Sequence, residues 1–146
     1  MRFELPDLGA MQAFGRRIAS ALQIGDVVAL SGGLGAGKTT LARSIIEALG
    51  HEGEVPSPTF TILETYDLPL PLVHADFYRL DDPREAEELG LDDYREGAVL
   101  IAEWPENAGG FSKEAACLSV HLETAETGRI AIVEAGPDWL GREPWT

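Results

Sequence analysis

The spacing of apolar residues in the first third of the chain predicts a helix, a strand and a second helix. Apolar side chains recur every three or four positions over residues 8–22, behind Asp7 as a suitable N-cap, which is typical of an amphipathic helix. Residues 27–30 are a short apolar run between glycine-containing segments, as expected for a buried parallel strand. Helical spacing returns over residues 38–49, and Gly50 is a plausible C-cap. A strand, a glycine-rich loop and a helix therefore follow one another directly.

The remaining apolar runs predict further strands, joined by acidic and proline-containing connections. Residues 81–94 are polar and acidic with few apolar positions, which predicts a mobile surface segment that supports only short helices. The last two predicted strands are expected to pair as an antiparallel edge. Strands and helices alternate mainly in the first half, which indicates an α/β sheet with helices on both faces. The five further strands are predicted at residues 59–66, 72–76, 98–102, 118–122 and 130–133.

Length and composition indicate a cytoplasmic protein with one domain over residues 1–146. The chain has 146 residues, of which 45% are hydrophobic, enough for one core but not for two ordinary domains. Cys117 is the single cysteine, and no Cys and His cluster has metal-site spacing, so we expect a reducing compartment, best matched by the cytoplasm. No apolar run reaches the length needed to cross a membrane, so no membrane partner is expected.

The charge of the chain argues against extensive direct contact with nucleic acid. There are 25 acidic and 11 basic side chains, which give a net charge of -14. Most of such a surface repels a phosphate polymer. Of the two lysines in the chain, Lys38 and Lys113, the first lies inside the glycine-rich loop. That position predicts a specific role for Lys38 in binding phosphate.

The glycine-rich loop carries the most specific chemical signal. Residues 32–39 match the pattern G-x-x-x-x-G-K-S/T, in which backbone amides turn toward phosphate groups. In this pattern Lys38 neutralises the β- and γ-phosphate oxygens, while the Thr39 hydroxyl reaches magnesium. The preceding strand and following helix are the context that the motif requires. We therefore predict ATP and Mg²⁺ as cofactors and an α/β, P-loop NTPase-like three-layer sandwich, with a mostly parallel central sheet and antiparallel edge strands. The predicted nucleotide-binding residues of the loop are Gly33, Leu34, Gly35, Ala36, Gly37, Lys38, Thr39 and Thr40.

Two acidic residues at predicted strand ends are candidates for catalysis. Asp76 follows the run 72–75, and Glu103 follows the cleaner apolar run 98–102. Nucleotide hydrolysis needs such an acid to hold the metal or to orient water. His74 is interpreted as a hydrogen-bonded strand histidine and Trp104 as a packing residue. Adenine is favoured over guanine because the chain has no Asn-Lys-x-Asp motif, and its one asparagine, Asn107, precedes Ala and Gly.

Four motifs occur in order along the chain: Gly35-Ala36-Gly37-Lys38-Thr39-Thr40, Ser57-Pro58-Thr59-Phe60-Thr61, His74-Ala75-Asp76-Phe77-Tyr78-Arg79-Leu80 and Glu103-Trp104-Pro105-Glu106. They resemble the motifs of the TsaE family, the bacterial ATPases of tRNA threonylcarbamoyladenosine synthesis. The resemblance covers nearly the whole chain. It implies a P-loop ATPase that associates with a two-protein threonylcarbamoyl-transferase complex, of the TsaB and TsaD types. That complex modifies the adenosine 3′ of the anticodon in ANN-decoding tRNAs, so the ATPase would contact tRNA only indirectly.

The resemblance also implies roles for individual residues. Thr39 and Glu103 resemble the magnesium ligands, and Asp76 resembles the acid that orients water or metal. Residues 57–61 resemble a switch segment, which adds Thr61 to the nucleotide-binding set. Arg129 resembles an arginine near the nucleotide base, and a residue around Asp7 is expected to line the same pocket. With Lys38, the acids Asp76 and Glu103 form the predicted catalytic set.

Two other functions share the same loop. A small-molecule or nucleotide kinase would need arginines that close over the phosphates, for which Arg79, Arg84 and Arg95 are available. A nucleotide-binding adaptor without productive catalysis would use most of the same binding residues. The resemblance favours the partner-dependent ATPase over both.

Overall fold

A computed structural model describes residues 1–55 and 62–145 of the chain and contains a sheet with helices against both faces. The predicted strand over 59–66 begins at residue 63 within the described part, and its first three residues lie outside that part. The described residues form the strands β1 (Arg2–Leu5), β2 (Val27–Gly32), β3 (Leu63–Tyr66), β4 (Leu72–Asp76), β5 (Val99–Glu103), β6 (Cys117–Thr124) and β7 (Arg129–Ala135), and the helices α1 (Leu8–Ala21), α2 (Lys38–Ala48), α3 (Arg84–Glu88) and α4 (Leu91–Arg95).

The sheet is parallel in its centre and antiparallel toward its edges. Its strand order is β1-β7-β6-β2-β5-β4-β3, and the four strands from β6 to β4 run parallel. The strands β7, β1 and β3 each run antiparallel to their neighbours. The carboxyl ends of β2, β4 and β5 meet at one edge, where Glu103 lies opposite Leu30 on one side and Asp76 on the other. This confirms a mixed α/β fold with a mostly parallel central sheet and antiparallel edge strands.

One edge of the sheet differs from the prediction. The strands β6 and β7 pair antiparallel as expected, but β6 lies inside the sheet beside β2, and β1 covers β7. The prediction that this pair forms the edge was therefore wrong. The pattern did not predict β1, because this strand has four residues and only Phe3 and Leu5 are partly or fully buried. An alternation of polar and apolar residues over only four positions is too short to indicate a strand.

The helices cover the two faces of the sheet unequally. The longer helices α1 and α2 pack on one face, where Phe14, Ile18 and Leu41 join a buried apolar cluster with alternate side chains of β2, β5 and β6. The Asp7 carboxylate caps α1 by accepting a hydrogen bond from the Ala10 amide at 2.8 Å, as predicted. The short helices α3 and α4 lie over the other face through Ala86 and Leu91. Short helices in 81–94 are thus confirmed, and the mobility of that segment stays a prediction.

Two tryptophans attach the end of the chain to this body. Trp139 is fully buried, and its indole N–H donates to the Ala116 carbonyl at 2.9 Å. Trp145 lies 5.2 Å from Phe3 and 6.0 Å from Phe14 between ring centroids. Both aromatic side chains contribute to packing rather than to an exposed surface. Within residues 1–55 and 62–145, no helix combines the length and apolarity needed to cross a membrane.

Candidate functional site

The loop between β2 and α2 depends on glycine at two positions. Gly32 has φ of 135°, and a Cβ atom there would lie 2.4 Å from the Leu122 carbonyl oxygen. Gly37, with φ of 107°, is the N-cap of α2 and supplies no capping side chain. The first amide groups of a helix lack acceptors within the helix, and its dipole favours an anion there. The loop therefore ends on a helix terminus suited to binding phosphate.

Lys38, the first residue of α2, turns back across this loop. Its Nζ donates to the carbonyl oxygens of Gly32 and Gly33 at 2.8 and 2.7 Å, and the residue is 5% exposed. Nζ also lies 4.4 Å from the ring centroid of Trp104, within the range of a cation–π interaction. Burial lowers the pKa of Lys38 from 10.5, while Glu103 and Asp76 oppose that change. A cation is therefore held in the loop with few solvent contacts.

Thr39 and Glu103 are in direct contact across 64 residues of sequence. The Thr39 hydroxyl donates to Glu103 Oε1 at 2.7 Å. Because this bond uses the only hydroxyl proton, the remaining lone pairs of Thr39 Oγ1 can bind a cation. Hydroxyl and carboxylate oxygens are the ligands that Mg²⁺ prefers, so the donor set fits this ion.

Asp76 lies at the end of β4, beside Glu103 on β5. Burial raises the pKa of the Asp76 carboxyl above 3.8 and the Glu103 carboxylate raises it further, while a hydrogen bond from the Tyr78 amide to Asp76 Oδ1 lowers it. This amide lies 3.0 Å from Oδ1. Asp76 is partly exposed, whereas Glu103 is buried. Of the two predicted acids, Asp76 has the more accessible carboxylate.

Arg129, at the start of β7, forms hydrogen bonds with the loop. Its Nε donates to the Ala36 carbonyl at 3.1 Å, and its Nη2 donates to the Gly35 carbonyl at 3.0 Å. These bonds hold two successive peptide groups of the loop through one planar guanidinium. The structure places Arg129 against the loop carbonyl groups, and the predicted position of Arg129 near the nucleotide base stays a prediction.

Two adjoining cavities surround these residues. The first has a volume of about 290 Å³, and the second, of about 200 Å³, lies between α1, the loop and the start of β7. The second is lined by Asp7, Leu8 and Met11 among others, and Arg129 and Thr40 line both cavities. The first is lined by Leu34, Gly35, Gly37, Lys38, Thr39, Thr40, Asp76, Tyr78, Glu103, Trp104 and Arg129.

Most of the predicted site residues therefore meet in one place. Gly33 and Ala36 do not line the cavity, and they take part through carbonyl groups that accept from Lys38 and Arg129. Thr61 and the predicted switch segment 57–61 lie outside the described residues. The functional roles of these residues stay predictions.

Two aromatic residues were missed as part of the site. Trp104 and Tyr78 line the larger cavity, with ring centroids 4.9 Å apart. Among the described non-glycine residues, Trp104 alone has positive φ, at 54°. Such a conformation is strained for a bulky residue and is often retained at functional sites. The sequence feature that could have indicated Trp104 was its position between Glu103 and Pro105. The interpretation of Trp104 as a packing residue did not use that position.

The sequence of this chain matches the model of a known protein family. Residues 5–131 match the model described as threonylcarbamoyl adenosine biosynthesis protein TsaE. Curated proteins named tRNA threonylcarbamoyladenosine biosynthesis protein TsaE are similar in sequence. The one from Haemophilus influenzae is 40% identical over 118 residues, covering 76% of this chain and 75% of that protein. The one from Streptomyces coelicolor is 50% identical over 101 residues, covering 66% and 68% respectively.

A solved structure has a similar fold. The crystal structure of YdiB from Bacillus subtilis aligns with a TM-score of 0.77 and 30% sequence identity. The alignment covers 95% of this chain and 88% of YdiB. The similarity therefore includes the arrangement of strands and helices that brings the site residues together.

Proposed function

Since the chain belongs to the TsaE family of tRNA threonylcarbamoyladenosine biosynthesis proteins, we propose that it is a magnesium-dependent P-loop ATPase serving this modification. It hydrolyses ATP slowly alone and associates, in a nucleotide-dependent way, with a threonylcarbamoyl-transferase complex of TsaB-type and TsaD-type proteins. That complex modifies the adenosine 3′ of the anticodon in ANN-decoding tRNAs, and the ATPase itself does not transfer the group. The proposed location is the cytoplasm.

The contact between Thr39 and Glu103 carries this proposal. A hydroxyl in the first turn after a phosphate-binding loop, hydrogen-bonded to a carboxylate at a neighbouring strand end, suits a magnesium–nucleotide site. Thr39 and Glu103 would hold Mg²⁺, which would neutralise charge on the phosphate oxygens. Lys38 would exchange its carbonyl partners in the loop for the β- and γ-phosphates. Asp76 would accept a hydrogen bond from the attacking water and so orient it.

The smaller cavity is the proposed site of the nucleotide base. It adjoins the loop through Gly37 and Thr40, and it combines an apolar wall with Asp7 and Arg129. Asp7 can accept from an exocyclic amine, which both adenine and guanine present. Asn107 donates its side-chain amide to the carbonyls of Phe77 and Tyr78 at 3.1 and 3.2 Å, so this amide has a structural use. The proposed preference for ATP over GTP rests on the absence of an Asn-Lys-x-Asp motif from the sequence.

The net charge supports indirect contact with tRNA. With a net charge of -14, the surface repels a polyanion over most of its area. A nucleotide-dependent complex with the transferase proteins removes the need for a basic surface on this subunit. The proposal therefore assigns tRNA binding to the partners.

The kinase alternative finds less support. None of the three arginines available to it, Arg79, Arg84 and Arg95, lines the cavity with Lys38. Arg84 pairs with Asp82, and Arg95 pairs with Glu114. Both arginines would have to leave carboxylate partners to close over phosphates. The adaptor alternative uses the same binding residues, so only a turnover measurement separates it from an ATPase.

The test measures phosphate release from magnesium ATP by the purified chain, alone and with both transferase proteins and substrate tRNA. The Glu103→Gln variant is the matched control, because the amide nearly preserves the volume and removes the charge. We expect slow release by the wild type alone, faster release with partners, and loss of release in Glu103→Gln with ATP binding in EDTA retained.

Each alternative predicts a different outcome. Equal release with every partner combination would contradict the partner-dependent ATPase. Nucleotide binding without release under any condition would favour the adaptor. Release that required a small acceptor molecule, with phosphate found on that acceptor, would favour the kinase.

A further inference from the structure

The buried histidine behind Glu103 has a role that the proposed function does not yet include. We propose that His74 is a positioning residue that holds the Glu103 carboxylate in the orientation required by Thr39 and magnesium. This inference rests on the proposed function, because it concerns the magnesium–nucleotide site. It adds a component on β4 that has no direct contact with nucleotide.

His74 and Glu103 form a short, buried contact. His74 Nε2 lies 2.6 Å from Glu103 Oε2, and the two residues are 0% and 2% exposed. Burying a polar pair costs free energy unless each group is hydrogen-bonded. An apolar residue at position 74 would continue the apolar strand β4 without that cost. The presence of histidine at position 74 is therefore better explained by its hydrogen bond with Glu103 than by packing.

The second nitrogen of the ring indicates the direction of the hydrogen bond. His74 Nδ1 is buried and has no hydrogen-bond partner among residues 1–55 and 62–145. Glu103 Oε2 is an acceptor, so His74 Nε2 must carry a proton to make the short contact. Nε2 therefore donates to Glu103, and Nδ1 makes no competing hydrogen bond within the described part of the chain. This arrangement fixes the ring toward a single partner.

Glu103 is held through both of its oxygens. Oε2 accepts from His74, and Oε1 accepts from the Thr39 hydroxyl at 2.7 Å. The chain of hydrogen bonds therefore links β4, β5 and the first turn of α2. If the donor at His74 is lost, Oε2 is left buried without this partner and the carboxylate can rotate away from Thr39. The Thr39 proton then lacks a fixed acceptor, and its lone pairs lose their defined direction.

This role resembles the support that outer residues give to metal ligands in general. Hydrogen bonds to a ligand fix its orientation, and their loss typically weakens metal binding by about 10–100-fold. In the proposed complex the loop amides and Lys38 would contact phosphate without using His74. The effect should therefore fall on the contribution of magnesium to nucleotide affinity and much less on metal-free binding.

The test compares His74→Leu, which removes the donor, with His74→Gln, whose amide N–H can reach Glu103. Val73→Ala is the control, because Val73 is buried on the same strand but packs in the cluster on the other face of the sheet. For each protein, titration calorimetry gives the dissociation constant of ATP with Mg²⁺ and with EDTA. Thermal unfolding establishes that each variant is folded.

In the wild type we expect Mg²⁺ to strengthen ATP binding. In His74→Leu the ratio of the two dissociation constants should fall by about tenfold or more, with binding in EDTA nearly unchanged. His74→Gln should restore most of the ratio, and Val73→Ala should keep it. If His74→Leu does not fold, His74→Asn replaces it, since its amide is too short to reach Glu103.

Three results would overturn the positioning role. These are an unchanged ratio in His74→Leu, an equal loss in His74→Gln, or the same loss in Val73→Ala. Absence of ATP binding by the folded wild type would instead contradict the proposed function, and the inference with it. The two failures are therefore distinguishable.

Discussion

The surroundings of Asp76 and Lys38 partly disfavour the ionised forms of these two side chains. Burial raises the pKa of Asp76 and lowers the pKa of Lys38, so each ionised group is disfavoured relative to water. Residues that bind charged ligands commonly cost stability in this way. Under the proposed function, magnesium and the nucleotide phosphates would supply partners of opposite charge and so offset this cost.

Replacement of Asp76 by Asn should stabilise the metal-free protein at neutral pH. The folded pKa of Asp76 is raised, so its stabilising contribution is full below 3.8 and is lost as pH rises through the folded pKa. Asp76→Asn should therefore raise the free energy of unfolding at pH 7, and the gain should shrink as pH falls toward 4. Urea unfolding at several pH values in EDTA measures it, with the exposed Asp67→Asn as control. A gain that grows toward acid would contradict this assignment.

Sequence alone identified the residues whose signals are local. Lys38 and Thr39 belong to one loop motif, and Glu103 ends one apolar run. The contacts of His74 with Glu103 and of Arg129 with the loop join residues 29 and 93 positions apart. Such contacts depend on which strands become neighbours, and a single sequence does not show that order.

The packing of α1 on α2 shows how one glycine sets an interhelical distance. A Cβ atom on Gly15 would lie 2.6 Å from Ser44 Cβ and 3.3 Å from the Ile45 amide nitrogen. No side chain fits at that separation without a shift of one helix. Because α2 begins at the glycine-rich loop, this contact also helps to fix the loop against the sheet.

Gly15→Ala should destabilise the protein although alanine favours helix formation. Helix propensity would contribute about 1 kcal/mol in its favour, while overpacking of a close contact costs about 1–3 kcal/mol. We expect a net loss in the free energy of unfolding, measured by urea denaturation. Gly9→Ala is the control in the same helix, since a Cβ atom there would lie 3.4 Å from its nearest neighbour, Asp7 Oδ1. Equal stability of the two variants would show that the helices separate without cost.

The elements with clear apolar patterns were predicted, and the four-residue strand β1 was not. The pattern located α1, β2, α2 and β5 to within about two residues, because each carries a helical repeat or an uninterrupted apolar run. The strand β1 becomes a strand through its pairing with β7, with Phe3 opposite Ala131. Its formation is a tertiary effect that four residues do not encode by themselves.

At the scale of the whole molecule, the end of the chain is joined to the loop that precedes β2. Arg142 donates to both carboxylate oxygens of Asp26 at 2.6 and 2.8 Å and to the Ala21 carbonyl. Its guanidinium lies 4.2 Å from the Trp139 ring centroid. Asp26 is 2% exposed, so it needs this partner more than a surface carboxylate would.

Arg142→Met should lower the free energy of unfolding by about 3 kcal/mol, because it leaves Asp26 buried without its cationic partner. Methionine preserves much of the apolar stem, so the loss reports mainly on the ion pair. Arg84→Met is the control, since its pair with Asp82 is exposed and should contribute little. Similar losses in both variants, measured by urea denaturation, would refute a special role for the buried pair.

Titration calorimetry of magnesium ATP against the wild type and Lys38→Met tests the central assignment most directly. The wild type should bind ATP more tightly than GTP, and Lys38→Met should lose about 100-fold in ATP affinity, since a hydrogen bond from a charged group contributes about 1.5–3 kcal/mol. Its thermal stability should be equal or higher, because a buried cation has been removed. Equal ATP affinity in the two proteins, or no ATP binding by the wild type, would contradict a phosphate-binding loop built around Lys38.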